Sequence, residues 1–353
     1  MDIIARSIQA AKAQHSKVVL PEGQDPRILA AARKILDDSI AQPIVLGARE
    51  QIAAVAAEAG VDLEGISTVD PRTDDKLATY ARRYREGRSV EESIALRLVR
   101  KPPLFGGMMV ACGDAATMVA GVKHATATVI QAGALTVGYA PGIKTASSFF
   151  LMIIPERDDT EEQVLIFADC AVSIAPTSEQ LADIALASAA SATSLLDTRP
   201  RVAMLSFSTR GSAVHSDVEK VAEAVRIARR RNPEMLIDGE FQADSAISPV
   251  VAAKKIKDGS EVAGRANVLI FPDLDAGNIA YTLTQYLAGA KAIGPLLQGF
   301  AKPICDLSRG ASVDDIIATT AICLASSQAI SCEADGLQRN GYHLYENLGV
   351  QLW

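Results

Sequence analysis

Ser308 and Arg309 stand side by side in Asp306-Leu307-Ser308-Arg309-Gly310, just before Ser312-Val313-Asp314-Asp315. A hydroxyl and a permanent cation share a turn that Gly310 makes easy, and a helix start follows with its carboxylates. A guanidinium that holds an anion beside a carboxylate base is what acyl or phosphoryl transfer requires. The same residues also fit plain helix capping, with Ser312 as the N-cap and Asp315 as the acid at N3. On the residues alone both readings stand.

Four other stretches carry polar groups at strand ends. Ser206, Ser208, Thr209 and Ser212, with Arg210 and Gly211, follow the apolar run 202–205. Hydroxyls, a cation and a glycine in that place suit an anion, or an ordinary strand-to-helix connection. The segment lacks the GxxxxGK[ST] order of a phosphate-binding P-loop. Gly121 precedes Lys123, His124 and Thr126 and permits close backbone approach; a lone histidine here is more often a structural hydrogen-bonding group. Asp238-Gly239-Glu240 reads as a turn or helix start, and Asp273 with Asp275 as helix caps in preference to metal ligands.

These residues need elements to hold them. Apolar runs at 17–20, 43–46, 116–120, 145–154, 165–172, 201–207, 236–238 and 266–271 predict strands. Helical patterns at 25–36, 49–59, 178–195, 217–231, 276–288 and 312–327 fall between them. Such alternation predicts an α/β fold of mostly parallel sheets covered by helices. The 353 residues suffice for two such domains. Glycine- and proline-bearing segments near 138–142 and 299–303 mark the crossings. They predict a first domain of residues 1–145 plus 304–328, a second of 146–303, and a C-terminal extension of 329–353, with the Ser308 turn at the cleft.

Composition excludes several classes. A net charge of −7, with Arg229-Arg230-Arg231 as the densest basic run, argues against nucleic acid and anionic membranes. No run reaches membrane-spanning length, and the amphipathic start lacks a signal-peptide core, so a cytoplasmic protein is expected. Five cysteines without CxxC spacing read as reduced, mostly buried thiols, and four scattered histidines suggest no metal cluster.

Taken in order, the segments resemble the phosphate acetyltransferase (phosphotransacetylase) and phosphate butyryltransferase family. The match is carried by Lys17-Val-Val-Leu-Pro-Glu-Gly23, Asp169-Cys-Ala-Val172, Val202 to Thr209, Leu236-Ile-Asp-Gly-Glu240, Asn267 to Asp273, Ala276-Gly-Asn-Ile279, Gly294-Pro295 with Gln298-Gly299, and Lys302-Pro303 with Asp306 to Gly310. It covers about residues 1–328. The resemblance implies a two-domain α/β/α fold similar to the isocitrate and isopropylmalate dehydrogenases, with the active site in the interdomain cleft of a homodimer. It implies reversible acetyl transfer between acetyl-CoA and phosphate, giving acetyl phosphate and CoA, with coenzyme A as substrate and no permanently bound cofactor or metal. Asp315 would take the CoA thiol proton, the thiolate would attack the acyl carbonyl directly, and Ser308 and Arg309 would stabilise the oxyanion. Since a free aspartate is a weak base, Asp315 is expected to be partly buried. Arg83 aligns with a phosphate-binding arginine, Arg82 and Arg85 being its alternatives. Gly121, His124, Ser206, Ser208 and Thr209 are the further substrate-binding candidates.

Gln131 belongs with them, at a position where relatives carry an arginine; Thr282 and Tyr286 likewise stand where relatives carry cations. The changes at Gln131 leave open a propionyl- or butyryl-specific transferase, and the missing cations a non-catalytic acyl-CoA sensor. A β-decarboxylating dehydrogenase would share the fold, but its metal-binding acids are not evident. Residues 329–353, with Tyr342, His343, Tyr345 and Trp353, lie beyond the resemblance, as a docked segment or a tail.

Overall fold

The computed structural model describes residues 3–156 and 161–334, with side chains as far as Ser326. In chain order the elements are α1 (Ile3–Gln14), β1 (Lys17–Leu20), α2 (Pro26–Asp37), β2 (Gln42–Leu46), α3 (Arg49–Ala59), β3 (Ser67–Val69), α4 (Leu77–Arg85), α5 (Glu92–Val99), α6 (Pro102–Ala111), β4 (Thr117–Ala120), α7 (Thr126–Thr136) and β5 (Ser147–Ile154). There follow β6 (Gln163–Ala168), α8 (Ser178–Leu195), β7 (Val202–Leu205), α9 (Ser216–Arg231), β8 (Ile237–Phe241), α10 (Ala243–Ile247), α11 (Pro249–Lys255), β9 (Val268–Ile270), α12 (Leu274–Ala288), β10 (Lys291–Gln298), β11 (Ile304–Asp306) and α13 (Val313–Ala334).

Two sheets organise these elements. The first has the order β11-β4-β1-β2-β3 and every pairing in it is parallel. All of its strands therefore end at one edge, where ligand sites of open parallel sheets lie. The second has the order β10-β5-β6-β9-β7-β8. Its β6, β7, β8 and β9 are parallel, while β5 runs antiparallel to both β6 and β10.

Strand periodicity assigns side chains to layers. Val18 and Leu20 of β1 enter a core shared with α1, α2, α8, α9 and α13 and with the inner face of the second sheet. Val19 points the other way, into a core with Phe105 and Met108 of α6, Tyr80 of α4 and Met118 of β4. A third core covers the far face of the second sheet around Phe150, Phe167 and Phe241. The α13 helix joins both halves, since it packs on α1, α2 and α8. Its buried Ile316, Ile322 and Leu324 fix the helix whose first turn holds Asp315.

Several expectations need correcting. The predicted strand 236–238, with a turn or helix start expected at its acidic end, runs on through Glu240 to Phe241 as β8. A strand admits these acids because Arg210 and Arg229 donate to Asp238, each at 2.7 Å, and Ser208 Oγ donates to Glu240 at 2.9 Å. The run 291–298 is not among the predicted strands. There β10 admits Pro295 through a register irregularity between Ile293 and Leu296. Cys305 and Cys323, expected as thiols, form a disulfide with Cα atoms 6.7 Å apart, because α13 packs back on β11. Cys112 and Cys170 are free. The expectation for residues 329–353 falls outside the described residues beyond Ala334. No helix among the described residues is long and apolar enough to cross a membrane.

Candidate active site

Three strand ends of the first sheet build the site. The turn after β1 carries Glu22, which is 3% exposed. Four successive N–H groups after β4 converge on it: Gly121 and Val122 donate to Oε2, each at 3.0 Å, and Lys123 and His124 donate to Oε1 at 2.9 and 2.8 Å. These four groups lie in the turn between β4 and α7, ahead of the N-cap Ala125, and the glutamate supplies the acceptor they share. His124 Nδ1 meets the same oxygen at 2.8 Å. With a carboxylate there, Nδ1 carries the proton and Nε2 is left as the outward nitrogen. Burial alone would raise the Glu22 pKa; the hydrogen bonds from His124 and from the backbone outweigh it and hold the carboxyl below 4.5.

At the end of β11, Asp306 is 2% exposed. Thr126 Oγ1, in the first turn of α7, donates to its Oδ2 at 2.5 Å. Oδ1 is buried without a hydrogen-bond partner. The Leu307 N–H favours the charged form electrostatically but does not reach hydrogen-bond geometry. Burial, aided by the negative charge of Glu22, pushes the Asp306 pKa up to about 6 against the Thr126 bond. Gly121 makes this closeness feasible. It has φ +128, and a Cβ on it would collide with Asp306 Oδ1 and with the N and O of Leu307.

The turn that follows is braced from beneath. Asp25 caps α2 by accepting from Arg27 N at 2.9 Å, and also accepts from Arg27 Nε at 3.0 Å and Nη2 at 2.9 Å. Arg27 Nη1 in turn donates to the carbonyls of Arg309 at 2.8 Å and Ala311 at 3.0 Å. Burial raises the Asp25 pKa, but its bonds to Arg27 dominate and lower it. Ser308 and Arg309 are thereby presented at the surface, with their backbone fixed and both side chains exposed.

Asp315 departs from expectation. It is exposed, and its Oδ2 accepts from Ser312 N at 2.9 Å and Ser312 Oγ at 2.7 Å, while its own N–H donates to Ser312 Oγ at 3.2 Å. That is a reciprocal capping box, so the structural reading of these residues is realised. Only one carboxylate oxygen is committed to it. The two roles are compatible, and burial of the base would have to come from bound substrate.

The other candidates are placed differently. Gln131 is exposed on α7. Arg83 pairs with Glu86 and acts electrostatically on Cys112, near Lys302. Its alternative Arg85 is engaged by Val90 O at 2.9 Å and Glu92 at 3.3 Å. In the second sheet Ser208 is fully buried and Thr209 is 6% exposed. Ser208 Oγ is spent on Glu240, and Thr209 Oγ1 accepts from Gln242 N at 2.9 Å. Ser206 Oγ accepts from Ser208 N at 3.2 Å. No hydrogen bond or ion pair among the described residues joins these hydroxyls to Ser308, Arg309 or Asp315. Asp273 caps α12 through Ala276 N at 2.9 Å.

Sequence reasoning missed Glu22, Asp25, Arg27 and Asp306 as site residues. The available signal was an acid placed directly at the end of an apolar strand, in Val-Val-Leu-Pro-Glu22 and Ile-Cys-Asp306.

The sequence pattern of the family described as "Phosphate acetyl/butaryl transferase" matches residues 2–324. A phosphate acetyltransferase of Clostridium acetobutylicum is 45% identical over 333 residues, covering 93% of this chain and 99% of the relative. A solved phosphotransacetylase from Streptococcus pyogenes superposes with a TM-score of 0.85 at 37% identity, covering 93% of this chain and 98% of that one. A 4-hydroxythreonine-4-phosphate dehydrogenase from Klebsiella pneumoniae, 12% identical with a TM-score of 0.52, covering 89% of this chain and 98% of its own, shares the fold. The chain belongs to the phosphate acetyl/butaryl transferase family.

Proposed function

We propose that this chain is a phosphate acetyltransferase, which moves an acetyl group reversibly between coenzyme A and inorganic phosphate. The observation that carries the reading is the braced Ser308–Arg309 turn at the ligand edge of a parallel sheet, one helix turn from Asp315. The names of relatives aligned over nearly their whole length point the same way.

In the direction of acetyl-CoA formation, Asp315 Oδ1 accepts the thiol proton of CoA. The thiolate then attacks the carbonyl carbon of acetyl phosphate. Negative charge moves onto the carbonyl oxygen, where the Arg309 guanidinium and Ser308 hydroxyl stabilise it. The carbon–oxygen bond to phosphate breaks, phosphate leaves with the bonding electrons, and no acyl-enzyme forms. The thiol is mostly protonated at neutral pH, which is why a nearby base helps. His124 Nε2, at the rim of the same edge, is left as an acceptor for an O–H or N–H donor of the substrate.

Residues 1–145 with 304–328 are read as one domain and 146–303 as the second. Membership of β1 to β4 and β11 in one sheet, and of β5 to β10 in the other, supports this division. A homodimer is supported by α12, where only Gly277 is buried. Its Ile279, Leu283, Tyr286 and Leu287 are more than half exposed, an apolar face that a monomer would leave in water. A cytoplasmic location fits a substrate pair of CoA and phosphate.

The test is release of free CoA thiol from acetyl-, propionyl- and butyryl-CoA with and without phosphate. Phosphate-dependent release, fastest with acetyl-CoA and lost in Asp315→Asn, supports the reading. Preference for a longer chain moves the assignment within the family; no release from any of the three, in protein that binds CoA, overturns it.

A further inference from the structure

Asp306 is an expensive residue for a scaffold. Its carboxyl is buried with one oxygen unpaired, and another buried acid, Glu22, bears on it from the turn after β1. The cations of neighbouring elements are committed elsewhere: Lys123 Nζ donates to Gln24 O at 3.0 Å, and Arg27 holds Asp25. The groups that face Asp306 are Thr126 from α7, the Gly121 turn after β4, Glu22, and the Leu307 N–H beyond its own strand. An unpaired buried carboxylate costs stability. Such a cost is found where a group has a task beyond holding the fold.

The geometry shows the task. Asp306 is one residue from Leu307 and two from Ser308. Its one strong bond ties the end of β11 to the head of α7, and Gly121 lies against the Asp306–Leu307 peptide. Arg27 holds the far side of the same turn, at Arg309 and Ala311. The turn is thus held at both ends, and Asp306 is the end next to Ser308.

We propose that Asp306 is a positioning residue of the transfer reaction: in its ionised form it grips the Thr126 hydroxyl and so sets the turn that presents Ser308 and Arg309 to the acyl group. This rests on the acyltransfer reading above. Protonation weakens the grip, so kcat should fall on the acid side with a midpoint near the value of about 6 to which burial pushes Asp306.

The experiment is the pH profile of kcat for the wild type, Asp306→Asn and Thr126→Val, with thermal unfolding at neutral pH. Asp306→Asn should lower kcat by on the order of 10- to 100-fold, flatten the acid limb, leave KM for acetyl-CoA within about twofold, and melt no lower than wild type. A residue that only held the fold would lower the melting temperature and leave the limb in place. Thr126→Val removes the hydroxyl that the ionised carboxylate grips, so it too should lower kcat and flatten the acid limb. An unchanged limb in a folded Asp306→Asn overturns the proposal; if that variant does not fold, an unchanged limb in Thr126→Val does so. Absence of wild-type turnover would instead sink the acyltransfer reading, and this inference with it.

Discussion

Replacing Glu22 by glutamine keeps the side chain's shape and removes one acceptor. Five contacts of 2.8–3.0 Å converge on the carboxylate, two on Oε2 and three on Oε1. The amide nitrogen must face one of these sets, and the smaller loss places it against the N–H groups of Gly121 and Val122. Two hydrogen bonds to a charged acceptor, at about 1.5–3 kcal/mol each, are then lost, for about 3–6 kcal/mol. Relief from burying a charge opposes this, leaving a net cost of about 3 kcal/mol. The sign with pH follows from the lowered pKa of Glu22. Its stabilisation is present in full above the unfolded value of 4.5 and is lost as pH falls through the lower folded value. The assay is urea unfolding followed by far-UV circular dichroism. The gap between wild type and Glu22→Gln should be level through neutral pH and shrink in acid. A variant within about 1 kcal/mol of wild type at neutral pH, or a gap that widens in acid, would refute the view that this carboxylate organises the turn after β4.

Arg27→Met should uncouple the brace from Arg309 and Ala311 and lower kcat by about tenfold or more, with helix content unchanged by circular dichroism. Gly121→Ala should fail to fold at 37 °C or lose most of its activity, because a Cβ at φ +128 meets the Leu307 backbone; soluble expression and a melting curve check this. Ser312→Ala and Asp315→Asn separate the two roles of the capping box. Loss of the cap should cost about 1 kcal/mol of stability with kcat little changed, whereas loss of the base should cost about 100-fold or more in kcat with a folded chain.

The alternation of apolar runs and helical patterns was enough to read an α/β fold, since strands buried on both faces need unbroken runs such as Val18-Val19-Leu20. The turn from Ser308 to Asp315 was legible because its chemistry is contiguous in the chain. Glu22 and Asp306 were not. Their partners at Gly121 to Thr126 lie 99 or more positions away, and only the β11-β4-β1 order brings the three strand ends together. Ser208 and Thr209 were legible as hydroxyls but not as buried ones. The acid that draws in Ser208, Glu240, sits in a stretch that local pattern reads as a turn. Arg83 could be aligned in sequence, yet where the end of α4 comes to lie depends on its packing against α5 and α6. The exposure of Asp315 follows from its place at the first turn of α13, where its own cap claims one oxygen.

The most direct test of the central claim follows both products together: purified protein, acetyl-CoA and inorganic phosphate, with free thiol and acetyl phosphate measured in the same samples. Equimolar appearance of the two, dependent on phosphate and abolished in Arg309→Ala, is the predicted result. Thiol released without acetyl phosphate, or CoA binding with no release of thiol, would contradict it.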